Sequence, residues 1–501
     1  MSDTTNSSSR TAKPASAATA STGEMWLFTL DHRRLARAWA AVTAVVLVAG
    51  VVLGLGLAFQ PLADAGAVET FRRMYTMHGL ALVALVVLPA IPGVLGNALL
   101  PESCGVEGMA WPGLNRLAFH IHLFGVALFL VAFSVAPADT GWSFDAPFAF
   151  GSASSLAWSV AGLLTVGVAS ACSGANLVAT FVESRLKNRG NLDVPLFAWA
   201  LAAGGLVQVL AAPFLCVAAV LLVAQRAGAA DVFASGVAID VSYAQWFWAW
   251  AHPAMGAAVI AALGLVDDVV TRHAGGRAPA SRSLVLCILA LAVLAFAGSP
   301  VHWIGRTNSP ADSLSASALA LAAGVPFAGL VAGWIATLGS ASPRPTGALC
   351  AAATAIVLFT CGALAGLFAA SVPAGALLQQ SSFASAQLHF SGLGVVAALY
   401  AGLLQVSPDW FGVPVREGQG RGASALILAG TLATFVPKLV LGAQGQPSRT
   451  LEILAGGEAL TLASAVGGIV LALGLGLAAW SIVGAFLASH GASNTAAEVA
   501  P

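Results

Sequence analysis

Twelve apolar stretches, each long enough to cross a lipid bilayer, dominate the chain between residues 37 and 488. About 20 apolar residues cross the hydrocarbon core of a membrane as one helix. Because backbone polar groups in lipid must bond within the chain, we expect every stretch to be an α-helix. The sequence therefore predicts an all-α polytopic membrane protein with twelve transmembrane helices. These lie near residues 37–60, 76–99, 117–136, 155–182, 195–224, 245–270, 282–304, 317–338, 346–371, 382–404, 423–443 and 458–488.

The composition excludes the common soluble classes. Only 8% of the 501 residues are charged and 58% are hydrophobic, whereas a soluble domain carries about 25% charged residues. Basic and acidic residues number 21 each, so the chain offers no basic surface to the phosphates of a nucleic acid. The six cysteines are scattered without a CxxC motif and indicate no disulfide framework. A cytosolic enzyme, a nucleic-acid-binding protein and a disordered chain are all excluded.

The chain divides into two short tails and one membrane domain. We expect a disordered cytoplasmic tail over residues 1–30, the twelve-helix domain over residues 31–488, and a second cytoplasmic tail over residues 489–501. If the first helix runs outward, fifteen of the lysines and arginines fall on the cytoplasmic side and six on the outer side. Positive residues favour cytoplasmic loops, so both termini are predicted to be cytoplasmic.

Four of the histidines inside apolar stretches lie at a similar predicted depth, near the outer side of the membrane. An imidazole in a membrane is costly without a hydrogen-bond partner or a bound ligand. A histidine there is therefore first considered as a functional residue. Four at one depth suggest ligands to haem or copper; the alternative is that each one bonds a neighbouring helix. Every acidic residue falls in a loop, a tail or a helix end, and no lysine lies at the bilayer centre, so a central proton relay is not predicted. The four are His78, His252, His302 and His389.

Several motifs, in their order and spacing, resemble subunit I of the haem-copper oxidases, in the A-type cytochrome c oxidase branch. The resemblance covers about residues 31–450. It implies the oxidase subunit I fold, haem and copper cofactors, and residence in a bacterial inner (plasma) membrane. The motifs are DHRR at 31–34, YTMHG at 75–79, APADTGW at 136–142, VPLFAW at 194–199, YAQWFW at 243–248 leading into His252-Pro253, and WIATL at 334–338.

The resemblance implies an intact site for one haem. His78 and His389 match the two axial ligands of the family's six-coordinate, low-spin haem. Arg449 matches one of two arginines that meet haem propionates, and Ser448 replaces the other. A haem with imidazole in both axial positions is suited to electron transfer, because neither position is open.

The same resemblance implies a degenerate oxygen-reducing centre. Gln387 stands where the family has the histidine that holds the oxygen-binding haem, and an amide oxygen is a weaker iron ligand than imidazole. His252 and His302 match two of three copper ligands, which leaves a remnant copper site. Three further residues of the family's centre are replaced here. Val301 stands in place of the third copper ligand, Ala254 in place of a glutamate, and Gly256 in place of a cross-linked tyrosine. Further departures in the proton paths, the non-redox metal site and the first helix fall at Gly108, Leu330, Gln379, Gln380 and Ala58.

We therefore expect a cytochrome c oxidase subunit I-like haem protein of a respiratory electron-transfer complex, with one low-spin haem and without oxygen reduction. One alternative is a functional terminal oxidase that uses Gln387 and two copper histidines. A remote alternative is a twelve-helix secondary transporter, which predicts inverted repeats and a polar midplane site that the sequence lacks. No cupredoxin domain or CxxCH motif is present, so the expected partners are subunit II-like and III-like oxidase subunits. Electrons are then expected from cytochrome c or a copper subunit.

Overall fold

The computed structural model describes residues 28–63, 67–144, 149, 156–188, 190–228, 239–275, 281–304 and 309–498. Most of the predicted N-terminal tail, residues 1–27, lies outside the described residues. The second predicted tail begins as a continuation of the last helix. The helices are α1 His32–Ala63, α2 Val68–Leu82, α3 Asn97–Cys104, α4 Pro112–Val135, α5 Ala157–Lys187, α6 Leu196–Arg226, α7 Ile239–His273, α8 Arg282–Ala297, α9 Pro310–Ala322, α10 Gly324–Ala341, α11 Gly347–Ala370, α12 Val372–Leu378, α13 Ser382–Phe411, α14 Glu417–Ala443 and α15 Glu458–Glu498.

Twelve helical spans in the described part of the chain are long and apolar enough to cross a membrane. This confirms the predicted twelve-helix membrane fold. Several spans extend further than hydropathy predicts; the second, expected over residues 76–99, runs Val68–Cys104. Its polar first turns stay helical, and the side chains of Glu69 and Arg73 pair one turn apart there. Such pairs at i and i+4 stabilise a helix end that apolar patterning cannot reveal.

The second span is not a uniform α-helix. Two π-helical segments, Val83–Val87 and Ala90–Gly96, separate α2 from α3. Pro89 and Pro92 have no backbone N–H and so cannot continue the regular hydrogen-bond ladder. The wider turn is visible where the Leu88 N–H donates to the Val83 carbonyl at 3.1 Å, a step of five residues. The half of the span that carries His78 is thus joined to the half that carries Asn97 through two irregular turns.

Three spans form the centre of the bundle. In the apolar windows of Val68–Cys104, Tyr243–His273 and Ser382–Phe411, 78%, 78% and 72% of the residues are buried, against 17% in the first span. The other nine spans are less buried, at 17–56% of their apolar windows. The central spans are also the ones that carry His78, His252 and His389, so three of the four intramembrane histidines lie in the protein interior.

Candidate functional site

One large cavity lies within the bundle and contains every site residue that the sequence predicts. Its volume is about 680 Å³, within the range of small-molecule and cofactor sites in proteins. Its walls come from α1, α2, the helices α7 to α15 and the connections at one end of the bundle. The predicted site residues on its walls are His78, His252, His302, Gln387, His389 and Arg449.

His78 of α2 and His389 of α13 face each other across this cavity. Their ring centroids are 5.9 Å apart and the ring planes differ by 20°. The Nδ1 of His78 lies 2.9 Å from the carbonyl oxygen of Gly50 in α1. The Nδ1 of His389 lies 2.7 Å from the carbonyl oxygen of Ser385, one turn earlier in α13. A carbonyl can only accept, so both rings carry their proton on Nδ1 and keep the lone pair on Nε2.

Close packing orients both rings. A Cβ atom on Gly54 of α1 would lie 2.9 Å from Cε1 of His78, so only glycine lets the ring approach α1. The ring of Phe435 from α14 stacks on His389 at 4.3 Å between centroids, with planes 20° apart. The His389 ring is therefore in contact with a phenyl ring as well as facing the ring of His78.

The pair fits a metal held between two imidazoles. Metal-ligating histidines usually donate their second ring N–H to a backbone carbonyl or a carboxylate, as both rings do here. With metal–nitrogen bonds of about 2 Å, two opposed imidazoles place their ring centroids roughly 6 Å apart. The separation of 5.9 Å agrees with that spacing, and the cavity leaves room for a macrocycle.

His252 and His302 form a second pair on the same cavity. The Nδ1 of His252 lies 3.0 Å from the Nε2 of His302, so each ring bonds the other. The indole of Trp248, one turn before His252 in α7, stacks on His302 at 3.8 Å between ring centroids. In contrast to the first pair, the two rings hydrogen-bond each other, so one nitrogen of each ring already has a partner.

The position of His302 differs from the predicted helix. Residues 282–304 are predicted as one helix, but α8 ends at Ala297 and a 3₁₀ turn, Ser299–Trp303, follows. Pro300 at the start of that turn has no N–H with which to continue the α-helical ladder. The change of path turns His302 toward His252.

Protein contacts close part of the space beside the second pair. A Cβ atom on Gly256 would lie 2.8 Å from the Cβ of Ala295 in α8. The side-chain amide of Gln379 donates to the carbonyl of Val301. No group of three or more histidine, cysteine, aspartate or glutamate side chains in the described residues is placed to hold a metal ion.

Gln387 and His389 point to different sides of α13. Two residues correspond to about 200° around an α-helix. The Nε2 of Gln387 lies 3.1 Å from the position that a Cβ on Gly366 of α11 would take, so the amide packs against α11 while His389 faces His78. Gln387 and His389 therefore face different parts of the cavity.

Arg449 closes one end of the cavity. Its Nη2 donates to the Ser143 hydroxyl at 3.1 Å, and its guanidinium carbon lies 6.0 Å from the centroid of the Tyr75 ring. The guanidinium also packs on Gly141, where a Cβ would lie 2.9 Å from Cζ and φ is +85°. The Gly141 N–H donates to the Thr76 hydroxyl at 2.8 Å. The 136–144 loop is thereby tied to both Arg449 and α2.

A family of known proteins accounts for this arrangement. The sequence model of the family described as "Cytochrome C and Quinol oxidase polypeptide I" matches residues 34–470. The chain belongs to the haem-copper oxidase subunit I family. The match includes α2, α7 and α13, and therefore all three central spans.

Individual subunit I relatives match most of the chain at low identity. The quinol oxidase subunit 1 of Bacillus subtilis is 25% identical over 472 residues, covering 92% of this chain and 73% of the relative. The cytochrome c oxidase subunit 1 of Thermostichus vulcanus is 26% identical over 464 residues, covering 90% of this chain and 83% of the relative. That of Synechocystis is 29% identical over 416 residues, covering 81% and 74%.

A solved structure shares the subunit I fold. A chain of a haem-copper terminal oxidase dimer, determined by cryo-EM, superposes with a TM-score of 0.80 at 14% identity. The superposition covers 91% of this chain and 84% of the other. It confirms the twelve-helix oxidase architecture of this family member.

Three residues of this subunit I cavity are missing from the sequence-based site. Trp248 and Phe435 stack on histidines, and Lys438 lines the same cavity as His78 and His389. From the sequence, Lys438 counts only as one of the six basic residues predicted on the outer side of the membrane. One signal could have identified it: a lysine inside an apolar helix, three residues and so about one turn after Phe435.

Proposed function

We propose that this subunit I family member is a membrane haem protein that transfers electrons through one low-spin haem held by His78 and His389, within a respiratory oxidase complex. The observation that carries the proposal is the anchoring of both rings. Each Nδ1 bonds a backbone carbonyl, at 2.9 Å and 2.7 Å, so each Nε2 is available to a metal.

The chain's own residues do three things for such a haem. His78 and His389 would hold the haem through their Nε2 atoms, and a haem held by two imidazoles would supply one-electron transfer without an open site for oxygen. Gly54 and Phe435 fix the ring orientations by packing. Arg449 offers a guanidinium to a haem carboxylate at the end of the cavity, as an arginine does in a charge-assisted pair.

We further propose that the oxygen-reducing haem-copper centre is degenerate. Gln387 stands at the position of the family's haem ligand, and its amide packs beside Gly366 of α11. A copper ion would find two imidazoles that already bond one another at 3.0 Å and no third ligand among the described residues. These residues do not fit a three-imidazole copper site, and we derive no reaction step through copper.

The proposal extends to location and partners. Fifteen basic residues on one side against six on the other support a bacterial plasma-membrane protein with both termini in the cytoplasm. The proposed partners are subunit II-like and III-like oxidase subunits, and the proposed electron donor is a copper subunit, a cytochrome c or a quinol. The names of the relatives above support that choice of donors.

The second candidate is a working terminal oxidase with unconventional ligands. The observation that favours it is the survival of His252 and His302 as neighbours on the same cavity that His78 and His389 line. In that case Gln387 would hold a second haem, and the site would bind oxygen or carbon monoxide.

A haem count separates the two candidates. We would purify the full chain from membranes, measure haem by pyridine haemochrome, and record the reduced-plus-carbon-monoxide difference spectrum. One haem per chain and no carbon monoxide shift is the expected result. Two haems with a carbon monoxide shift would overturn the degenerate centre in favour of the oxidase, and a protein without haem would refute both.

A further inference from the structure

Lys438 lies in the wall of the cavity beside the histidine pair of α2 and α13. It is half-buried in α14. Its Nζ lies 5.6 Å from the centroid of the Phe435 ring, which stacks on His389 at 4.3 Å. His389 in turn faces His78 at 5.9 Å. An ammonium group, a phenyl ring and the two imidazoles thus follow one another along one side of the cavity.

Within the described residues, Lys438 has no acidic partner. Four ion pairs are formed there, and none includes Lys438. The carboxylate that lines the same cavity belongs to Glu452, which is exposed at its outer rim. An ammonium in a largely apolar wall is costly without an anion or water. The cavity therefore presents a cation whose partner this part of the chain does not supply.

A carboxylate of the cofactor is the anion that matches this position. The two cations on the cavity wall are Lys438 and Arg449, and haem carries two carboxylates. Ser448 precedes Arg449 in the connection after α14 and is neutral, so Lys438 within α14 supplies the second positive charge. A lysine ammonium pairs with a carboxylate as a compact point charge and needs no planar geometry.

We propose that Lys438 binds a carboxylate of the haem held by His78 and His389 and raises the reduction potential of that haem. The inference rests on the proposed function. A fixed positive charge near the iron favours the state that has gained an electron, so the charge of Lys438 stabilises the reduced haem. The opposing explanation is that the lysine extends its stem along the apolar wall and places its ammonium in water.

The reduction potential tests the proposal. We would titrate the purified full-length wild type, Lys438→Gln and Lys438→Arg, following the low-spin absorption band. Lys438→Gln is expected to lower the midpoint potential by about 59 mV, a tenfold change in the one-electron equilibrium. Lys438→Arg keeps the charge and should stay near the wild-type value. Lys187→Gln is the matched control, since Lys187 is an exposed lysine in α5.

An unchanged potential in Lys438→Gln, with haem content intact, would overturn the proposal and support a water-exposed ammonium. Loss of haem from Lys438→Gln but not from Lys438→Arg would support the same carboxylate contact. A wild type without haem would instead refute the proposed function itself, so the two failures are distinguishable.

A second measurement addresses the carboxylate directly. Full-length chain produced without haem would be reconstituted with haem or with haem dimethyl ester, which lacks both negative charges. The wild type should prefer the free acid at least tenfold, and Lys438→Gln should reduce that preference while Lys187→Gln leaves it intact. An equal preference in the wild type and Lys438→Gln would contradict the contact.

Discussion

Two histidine pairs share one cavity, but their nitrogens have different partners. His78 and His389 each bond a backbone carbonyl through Nδ1, whereas His252 and His302 bond one another at 3.0 Å. The first pair has its orientation fixed by the main chain and keeps one nitrogen per ring for a ligand. In the second pair, one nitrogen of each ring already has a hydrogen-bond partner when no ligand is bound. Counting histidines in a sequence therefore cannot distinguish a ready metal site from a self-contained hydrogen bond.

The largest expected effect is the loss of the low-spin haem from His389→Ala. An alanine removes one of the two axial bonds, so the low-spin band in the reduced-minus-oxidised spectrum should disappear. Gln387→Ala is the matched control two residues earlier in α13; its amide packs on Gly366, and the band should remain at full intensity. A retained band in His389→Ala would show that His389 is not a haem ligand, and the proposed functional difference between the two pairs would be wrong.

A converse experiment would introduce haem and copper ligands into the second region, the part of the cavity around His252, His302 and Gln387. The double variant Gln387→His and Val301→His supplies an imidazole at each altered position and should raise the haem content from one toward two per chain. A new carbon monoxide difference band is the expected signature, with the single variant Gln387→His as the control. One haem and no carbon monoxide shift would indicate that contacts such as Gly256 against Ala295 have closed the pocket.

The same glycine-to-alanine change should act differently in the two regions. Gly54→Ala places a methyl group 2.9 Å from Cε1 of His78, and Gly256→Ala places one 2.8 Å from the Cβ of Ala295. Overpacking of this kind costs about 1–3 kcal/mol of stability in each case. Only Gly54→Ala should also shift the low-spin spectrum. A spectral shift in Gly256→Ala would show that the second region communicates with the haem.

The smallest effect is expected from His302→Ala. The change removes a hydrogen bond to His252 and a stack on Trp248, which corresponds to about 1 kcal/mol of stability for the hydrogen bond. Denaturant unfolding in detergent measures that loss, and haem content should not change. If the variant instead loses a metal that elemental analysis finds in the wild type, the second pair is a metal site and the contrast fails.

Hydropathy alone predicts the membrane fold well, because each span must be apolar over its whole length. It predicts span ends poorly, since polar first turns such as that around Glu69 and Arg73 are held by side-chain pairing. The break after Ala297 depends on Pro300, which is visible in the sequence, yet its effect on the direction of His302 is not.

The site is predictable only in part for a similar reason. The placement of His78 and His389 on one cavity follows from helix direction and depth. The stack of Phe435 on His389 and the proximity of Lys438 depend on how α14 is rotated against α13. Rotation of that kind arises from packing among several helices, and one sequence does not contain it in readable form.

The two π-helical segments between α2 and α3 have a consequence for how this span tolerates change. Each π turn accommodates an extra residue, and one residue corresponds to about 100° of rotation in a regular helix. The segments Val83–Val87 and Ala90–Gly96 therefore set the angular phase between His78 and Asn97. Deleting one residue from either segment would restore a regular turn and rotate one half of the span against the other, while the hydropathy profile would scarcely change.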